Sequence, residues 1–152
     1  RSWNIRERQE VMNDTFLPSA PRTRPIGDSK MDKAFAEQFA ADWIDSWNAH
    51  DLERVLSHYA DDFEMSSPVI EQLAGEPSGM LRGKVAVRAY WRKALELIHD
   101  LHFELISVLA GVTSITLYYK GAHDRLAAEV FHFGADHSVT KAFAHYDVST
   151  GF

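Results

Sequence analysis

Cysteine is missing from all 152 residues. Disulfide bonds, thiolate nucleophiles and zinc–thiolate sites are therefore excluded for this sequence. Histidines occur as the pairs His99/His102 and His132/His137, without a third ligand at a recognisable spacing, so we expect no metal site. A glycine-rich phosphate loop and a GxSxG motif are also missing, and we expect no cofactor.

Basic residues and long apolar runs are also in short supply. Lys and Arg number 16 against 22 Asp and Glu, which gives a net charge of −6. Nucleic-acid binding depends on clustered Lys and Arg, so we expect no nucleic-acid partner. No apolar run approaches the roughly 20 residues of a membrane-spanning helix, and no signal-peptide pattern opens the sequence. We therefore expect a cytoplasmic protein without a membrane partner.

Aromatic side chains, in contrast, are plentiful. The chain has nine Phe, five Tyr and four Trp, and its composition is 45% hydrophobic and 25% charged. Such a composition and length are typical of one globular domain with a core of its own. The supply of flat rings suits either that core or a pocket lined by rings.

The first 30 residues differ from the rest of the chain. Residues 17–30 hold three prolines and few apolar anchors, a pattern typical of an extended arm or linker. We expect residues 1–30 to be an N-terminal arm or a cloning-derived segment, with Met31 as the native start. Residues 31–152 then form the single folded domain.

Helical periodicity begins at Asp32. Aromatic residues recur every four positions from Phe35 to Trp47, which predicts a helix ending near Asn48. Asp51 is placed to cap a short second helix, and a third is predicted from about Lys84 to about Ile98. Between them, residues 63–67 alternate as in a short strand, and residues 71–83 are predicted to form a loop.

The remainder of the chain is typical of strands. Four segments with strand-like patterns, residues 101–110, 112–120, 125–133 and 138–147, are joined by hairpin-length connections. Three helices followed by an antiparallel meander predict an α+β fold. In it a curved antiparallel sheet wraps around the helices.

Four motifs carry a resemblance to a known family. They are WNAHDL at residues 47–52, YADD at 59–62, GKVAVRAYW at 83–91 and EVFHF at 129–133. With the order of elements, they resemble the SnoaL-like branch of the nuclear-transport-factor-like superfamily over residues 32–148. That family includes ketosteroid isomerases, polyketide cyclases, dehydratases, epoxide hydrolases and non-catalytic binding proteins. The resemblance implies a cone-shaped fold with an internal pocket.

Two positions at which the family carries a catalytic acid hold other residues here. The resemblance places the isomerase general base at Ser67, immediately before Pro68, and the cyclase acid of the last strand at Ala144. A serine hydroxyl cannot remove a carbon-bound proton near neutral pH, because its pKa is far too high. We therefore expect the usual family bases to be absent, with Ser67 most simply a strand residue held by a local hydrogen bond.

The resemblance also implies an oxyanion-binding pair, matched here by Trp43 and Glu129. An indole N–H only donates, and a carboxyl in an apolar pocket has a raised pKa and can donate a hydrogen bond. The alternative is that Glu129 faces solvent or pairs with Arg125 or a lysine. Glu129 is the candidate catalytic residue of this sequence.

An apolar wall is expected to complete the ligand-binding site. Its members are predicted inward-facing residues: Phe63, Met65, Ser67, Tyr90, Trp91, Ile115, Leu117, Phe131 and Tyr146. The alternative for each is an ordinary place in the core. His145, next to Tyr146, is expected on the outer face of the sheet.

These residues predict a protein that binds a small hydrophobic, oxygen-bearing molecule of polyketide, steroid or terpenoid type. One alternative is an isomerase, cyclase or dehydratase that uses a rearranged acid–base set around Glu129. Another is a non-catalytic subunit that docks a protein. Both faces of residues 114–120 and 140–146 carry apolar or aromatic side chains, which favours a homodimer through the outer face of the sheet.

Overall fold

A computed structural model of the protein describes residues 31–150. The elements are α1 (Lys33–Asn48), α2 (Leu52–Leu56), β1 (Tyr59–Ser66), α3 (Ile70–Ala74), β2 (Met80–Arg82), α4 (Lys84–Leu97), β3 (Glu104–Ala110), β4 (Ser114–Lys120), β5 (Leu126–Phe133) and β6 (Val139–Tyr146). Short 3-10 turns lie at Ala122–Asp124 and Val148–Thr150. The predicted arm, residues 1–30, lies outside the described residues.

Helix α1 begins and ends where the sequence predicts. The Asp32 carboxylate accepts a hydrogen bond from the Phe35 N–H at 2.7 Å and so caps the first turn. At the other end, His50 adopts a left-handed backbone conformation, with φ of 55°. This turns the chain into α2, where Asp51 accepts a hydrogen bond from the Arg54 N–H at 3.1 Å.

The six strands form one curved, unclosed sheet in the order β2-β1-β6-β5-β4-β3. Strands β3 to β6 form the predicted antiparallel meander. Strand β1, however, joins β6 in parallel, so the sheet is mixed and not purely antiparallel. The chain order allows this because α4 and strands β3 to β5 lie between β1 and β6 in the sequence, which is long enough for a parallel connection.

The segment predicted as a loop contains two further elements, α3 and β2. Ile70 is completely buried and anchors α3, and Gly75 ends this helix with a left-handed φ of 71°. Strand β2 then pairs antiparallel with the end of β1. The loop prediction was wrong here because each element is only three to five residues long, too short to show a periodicity.

Helix α1 lies across the inner face of the sheet and fills most of the core. Phe39 and Trp43 pack edge-on against Phe131 of β5, with ring centroids 4.9 and 5.3 Å apart. Trp43 also packs against Tyr119 of β4 at 5.4 Å. The α+β class with helices on a curved sheet is thus confirmed. The space beyond Trp43, between the sheet and α4, is left for the site.

Candidate functional site

A cavity of about 420 Å³ lies between the sheet, α3 and α4. It has a size ordinary for small-molecule sites. Its lining is mainly apolar and aromatic, with a few polar groups: Trp43, Trp47, Met65, Val69, Gln72, Leu73, Tyr90, Trp91, Ala94, Leu97, Ile98, Leu101, Phe103, Tyr119, Gly121, Ala122, His123, Arg125, Glu129 and Tyr146.

Three cross-strand rows define the inner face of the sheet, the face on which the cavity lies. Tyr119, Ala127 and Tyr146 are direct partners across β4, β5 and β6, and so are Leu117, Glu129 and Ala144. Members of one such row share a face of the sheet. Both rows lie on the inner face, as does the row that contains Phe131, because Tyr119, Leu117 and Phe131 are all buried.

Glu129 is the carboxyl of this site. It is 4% exposed, so the alternative in which it faces solvent is excluded. The phenol of Tyr119 lies 3.5 Å from Oε2 of Glu129 and donates to it. Burial raises the pKa of Glu129 to about 8, and the Tyr119 hydrogen bond offsets this only in part. At neutral pH the carboxyl is therefore mainly protonated.

Four tyrosines surround Glu129. Burial raises the pKa of the Tyr59, Tyr90, Tyr119 and Tyr146 phenols, and the nearby Glu129 charge raises each further. All four are therefore neutral near pH 7. The Tyr119 O–H donates to Glu129, and the Tyr90 O–H lies within 3.5 Å of the Ser67 hydroxyl. The site is a carboxylic acid in a ring of neutral phenols.

Ser67 lies beside this group but outside the cavity lining. Its hydroxyl accepts a hydrogen bond from the Val69 N–H at 3.2 Å and lies 3.5 Å from the Tyr90 hydroxyl. Its carbonyl accepts from the Ile70 N–H at 3.2 Å. These contacts hold the turn from β1 into α3, and a hydroxyl so placed has no base to activate it.

The expectation that Trp43 offers its N–H to a ligand has to be corrected. Trp43 Nε1 already donates to the Tyr59 hydroxyl at 3.0 Å, and both side chains are buried. An N–H carries one hydrogen, so this donor is spent within the protein. Trp43 contributes a ring wall, and the predicted oxyanion pair of Trp43 and Glu129 does not form.

The structure divides the predicted site residues into two groups. Those that line the cavity are Trp43, Met65, Tyr90, Trp91, Glu129 and Tyr146. The others are buried but do not line it: Phe63, Ser67, Ile115, Leu117 and Phe131. The aromatic face of α1 covers Phe131, while Phe63 packs beneath Tyr59 at 4.4 Å. An inward-facing position is therefore not enough to place a side chain in the wall of the cavity.

Several lining residues were not predicted from the sequence. Trp47 belongs to the same four-residue repeat as Trp43, and Tyr119 is in phase with Leu117, so periodicity gave a usable signal for both. Phe103 precedes its strand, and no pattern marked it. Residues from α3 and from the 121–125 turn reach the site only through the tertiary fold.

The rim of the cavity carries a fixed cation. Arg125 Nη2 donates to the Asp147 carbonyl at 2.9 Å, and its guanidinium lies over the Tyr146 ring at 5.1 Å. Gln72 and His123 add polar side chains to the lining. The polar groups are thus concentrated at Glu129 and at this rim.

Residues 31–150 contain neither a metal-binding cluster nor a membrane-spanning helix. No cluster of three or more His, Asp or Glu side chains able to hold a metal ion occurs in this part of the chain. None of its helices is long and apolar enough to cross a membrane. The expected cytoplasmic location stays a prediction.

Comparisons with known proteins agree with this fold. The SnoaL-like domain family matches residues 40–149. A SnoaL-like protein of unknown function from Burkholderia thailandensis is 64% identical, with a TM-score of 0.75 over 78% of this chain and 98% of its own. No curated protein matches the sequence significantly.

More distant structures share the fold alone. SalBIII, an epoxide hydrolase/cyclase-like enzyme in pyran ring formation of the polyether salinomycin, is 12% identical, with a TM-score of 0.58 over 78% of this chain and 95% of its own. TerC, co-crystallised with polyporic acid, is 10% identical, with a TM-score of 0.61 over 76% of this chain and 93% of its own.

The chain therefore belongs to the SnoaL-like domain family, with the nuclear-transport-factor-like fold. The resemblance stated from the sequence motifs is confirmed. Some structural neighbours are cyclase-type enzymes, which identifies a scaffold used for ligand chemistry but assigns no reaction to this chain.

Proposed function

We propose that this protein binds a small hydrophobic molecule of polyketide, steroid or terpenoid type through a carbonyl or phenolic oxygen. The observation that carries the proposal is Glu129, a carboxyl 4% exposed on the wall of an aromatic cavity. A protonated acid in such a place donates a strong hydrogen bond to a ligand oxygen. The ring walls bury the apolar body of the ligand.

Tyr119 supports this role of Glu129. It donates to Oε2 of Glu129, which orients the carboxyl and leaves the other oxygen, Oε1, to carry the proton toward a ligand. Because the neighbouring phenols are neutral, no fixed negative charge competes for that proton. The site therefore favours a neutral or partly anionic ligand oxygen over a cation.

Binding without turnover follows from the residues at the family's base positions. Ser67 and Ala144 replace the acids that the resemblance implies there, and neither side chain can accept a proton from carbon at neutral pH. A ligand held by Glu129 would meet a donor but no separate base. This arrangement supports recognition of the oxygen more than isomerisation.

The binding proposal is tested with β-naphthol as the probe, by calorimetric titration near pH 7. Glu129→Gln keeps a donor and is expected to retain most of the affinity, whereas Glu129→Ala is expected to weaken binding about five- to twentyfold. Glu104→Ala, which removes an exposed carboxyl on β3, serves as the matched control. Equal affinity of wild type and Glu129→Ala would contradict the proposal.

A second candidate is acid–base catalysis of the isomerase, cyclase or dehydratase type by Glu129 itself. The observation that favours it is a carboxyl pKa of about 8, at which both protonation states are populated near neutral pH. Turnover of a β,γ-unsaturated ketosteroid, followed by absorbance of the conjugated product, distinguishes the two. Activity that Glu129→Ala abolishes would favour catalysis over binding alone.

We also propose that the protein is a homodimer that packs through the outer face of its sheet. The row Leu109, Thr116, Val130 and Phe143 crosses four strands on that face. Leu109 is 57% exposed and the other three are only partly buried. A second copy of the same face would cover this apolar row symmetrically.

A further inference from the structure

One buried donor has no use in the binding scheme above. Trp47 Nε1 is the one buried side-chain nitrogen or oxygen within residues 31–150 that has no hydrogen-bond partner. The residue is 5% exposed. Buried polar groups are nearly always paired, and an unpaired one destabilises the fold unless a ligand or water serves it. The exception therefore needs an explanation.

The fold does satisfy the neighbouring indole. Trp43 lies one helical turn before Trp47 on the same face of α1, and its N–H donates to Tyr59 at 3.0 Å. The two tryptophans pack edge-on with centroids 6.1 Å apart. The lack of a hydrogen-bond partner is therefore specific to Trp47 and is not shared by the other tryptophan on this face of α1.

Trp47 lies in the wall of the ligand cavity. Its ring packs against Trp91 at 5.1 Å and against Phe103 at 5.6 Å, and all three rings line the cavity. A donor without a partner, in an apolar wall of this kind, is suited to an oxygen that arrives with the ligand.

We propose that the Trp47 indole N–H is a second polar anchor of the cavity, which donates to an ether, carbonyl or hydroxyl oxygen of the ligand. This inference rests on the proposed binding function and specifies its ligand class. The molecule carries two oxygens, one held by Glu129 and one by Trp47, on an aromatic or polycyclic body.

A chain of aromatic contacts links the two anchors. Trp43 contacts Trp47 on one side and Tyr119 on the other, and Tyr119 donates to Glu129. Two aromatic side chains thus lie between the anchors along this chain of contacts, and the proposal assigns a separate ligand oxygen to each anchor. Trp47 Nε1 is covered by its neighbours, so the proposal includes a small shift of the Trp47 or Trp91 ring on binding.

Two probes of nearly equal shape test the proposal. One is β-naphthol with a methoxy group on the ring remote from its hydroxyl, and the other carries an ethyl group at that position. At that position the methoxy oxygen can accept from Trp47, whereas the ethyl group cannot. Wild-type protein is expected to prefer the methoxy probe about fivefold or more, and Trp47→Phe is expected to lose that preference while it still binds the ethyl probe.

Glu129→Gln is the matched control. It removes the carboxylic acid but leaves Trp47 in place, so it is expected to retain the preference for methoxy over ethyl. A wild-type preference that survives in Trp47→Phe would overturn the proposal, as would the lack of any preference in wild type. In either case Glu129-dependent binding of the probes would leave the proposed function standing, whereas failure of both probes to bind would overturn both.

A measurement on the wild-type protein guards against a Trp47→Phe variant that does not fold. The Trp47 indole ¹H–¹⁵N signal, assigned by triple-resonance spectra, is expected to move downfield with the methoxy probe and much less with the ethyl probe. The same small movement with both probes would contradict a hydrogen bond at this nitrogen.

Discussion

Glu129 and Ala144 are direct cross-strand partners on β5 and β6, and both point to the inner face of the sheet. Ala144 is the position at which the family resemblance implies an acid. Opposite residues on one face have Cβ atoms roughly 5 Å apart. The single carboxyl of this site therefore lies one strand away from the position that the resemblance implies.

This cross-strand pairing predicts that a second substitution can restore ligand binding. Glu129→Ala is expected to weaken β-naphthol binding, and adding Ala144→Glu to that variant is expected to recover part of the affinity, because the carboxyl returns from the adjacent strand. Titration of wild type, single and double variants checks it. Ala144→Glu alone is the control and is expected to lose affinity, since two buried acids crowd one space. A double variant as weak as Glu129→Ala would contradict the prediction.

The raised pKa of Glu129 predicts a specific pH dependence of stability. Its pKa is about 8 in the folded protein against 4.5 as the ordinary value. The folded state thus holds a proton that the unfolded state releases, so stability falls as pH rises from about 4.5 to about 8. Glu129→Gln removes this dependence.

Chemical denaturation at about pH 5 and about pH 8.5 measures the effect. Glu129→Gln is expected to gain stability relative to wild type at the higher pH, by up to a few kcal/mol, and to gain little at the lower. Glu104→Gln, at an exposed position on β3, is the control without such a gain. An equal difference between Glu129→Gln and wild type at both pH values would show that Glu129 does not titrate as described.

Tyr119 is predicted to tune this carboxyl. Its hydrogen bond lowers the pKa of Glu129 against the effect of burial, so Tyr119→Phe is expected to raise that pKa further. Binding of β-naphthol, which requires the protonated acid as donor, then persists to higher pH in Tyr119→Phe than in wild type. The affinity for β-naphthol, measured across pH 6 to 9.5, gives the midpoint of the loss of binding with pH for each of the two proteins. A midpoint that falls in the variant would contradict this role.

The proposed dimer is tested by adding charge to the outer face of the sheet. Val130→Lys is expected to convert a dimer to a monomer at micromolar concentration, because Val130 is in the middle of the apolar row and a buried lysine would lack a partner. Sedimentation velocity measures the mass of the protein in solution and so distinguishes a dimer from a monomer. Val85→Lys, at a position 82% exposed on α4, should leave the mass unchanged. A monomeric wild type would contradict the dimer.

Residues 1–30 are predicted to be dispensable for folding. Proline-rich segments with few apolar anchors bury little surface. A chain that begins at Met31 keeps the Met31 N–H bond to the Val112 carbonyl at 3.0 Å and all of α1. Its thermal midpoint is expected to match that of the full chain within a few degrees. A truncated chain without a cooperative transition would contradict the prediction.

The sequence predicted those parts of the molecule in which a single pattern extends over many residues. The aromatic repeat from Phe35 to Trp47 predicted α1 and its buried face, and strand-like segments separated by hairpin-length connections predicted β3 to β6. Glu129 is in phase with Phe131, and its inward direction was one of the two alternatives that the sequence left open. In each case the period of the backbone decides which side chains share a face.

The remaining features depend on tertiary contacts that no local pattern contains. The hydrogen bond that occupies Trp43 comes from Tyr59, which lies on a different element. Phe131 faces inward as expected, yet Phe39 and Trp43 of α1 cover it, so it belongs to the core and not to the cavity. Elements α3 and β2 are too short to have a period, although α3 closes one side of the site.

The parallel pairing of β1 with β6 has a consequence for synthesis of the chain. Glu64 of β1 is paired with Lys141 of β6. Strand β1 is therefore synthesised long before the strand with which it pairs. Until β6 leaves the ribosome, β1 has only the three-residue β2 beside it, and its other edge is open to pairing with other chains. Such distant contacts also slow folding. We therefore expect the nascent domain to be most prone to aggregation just before β6 emerges.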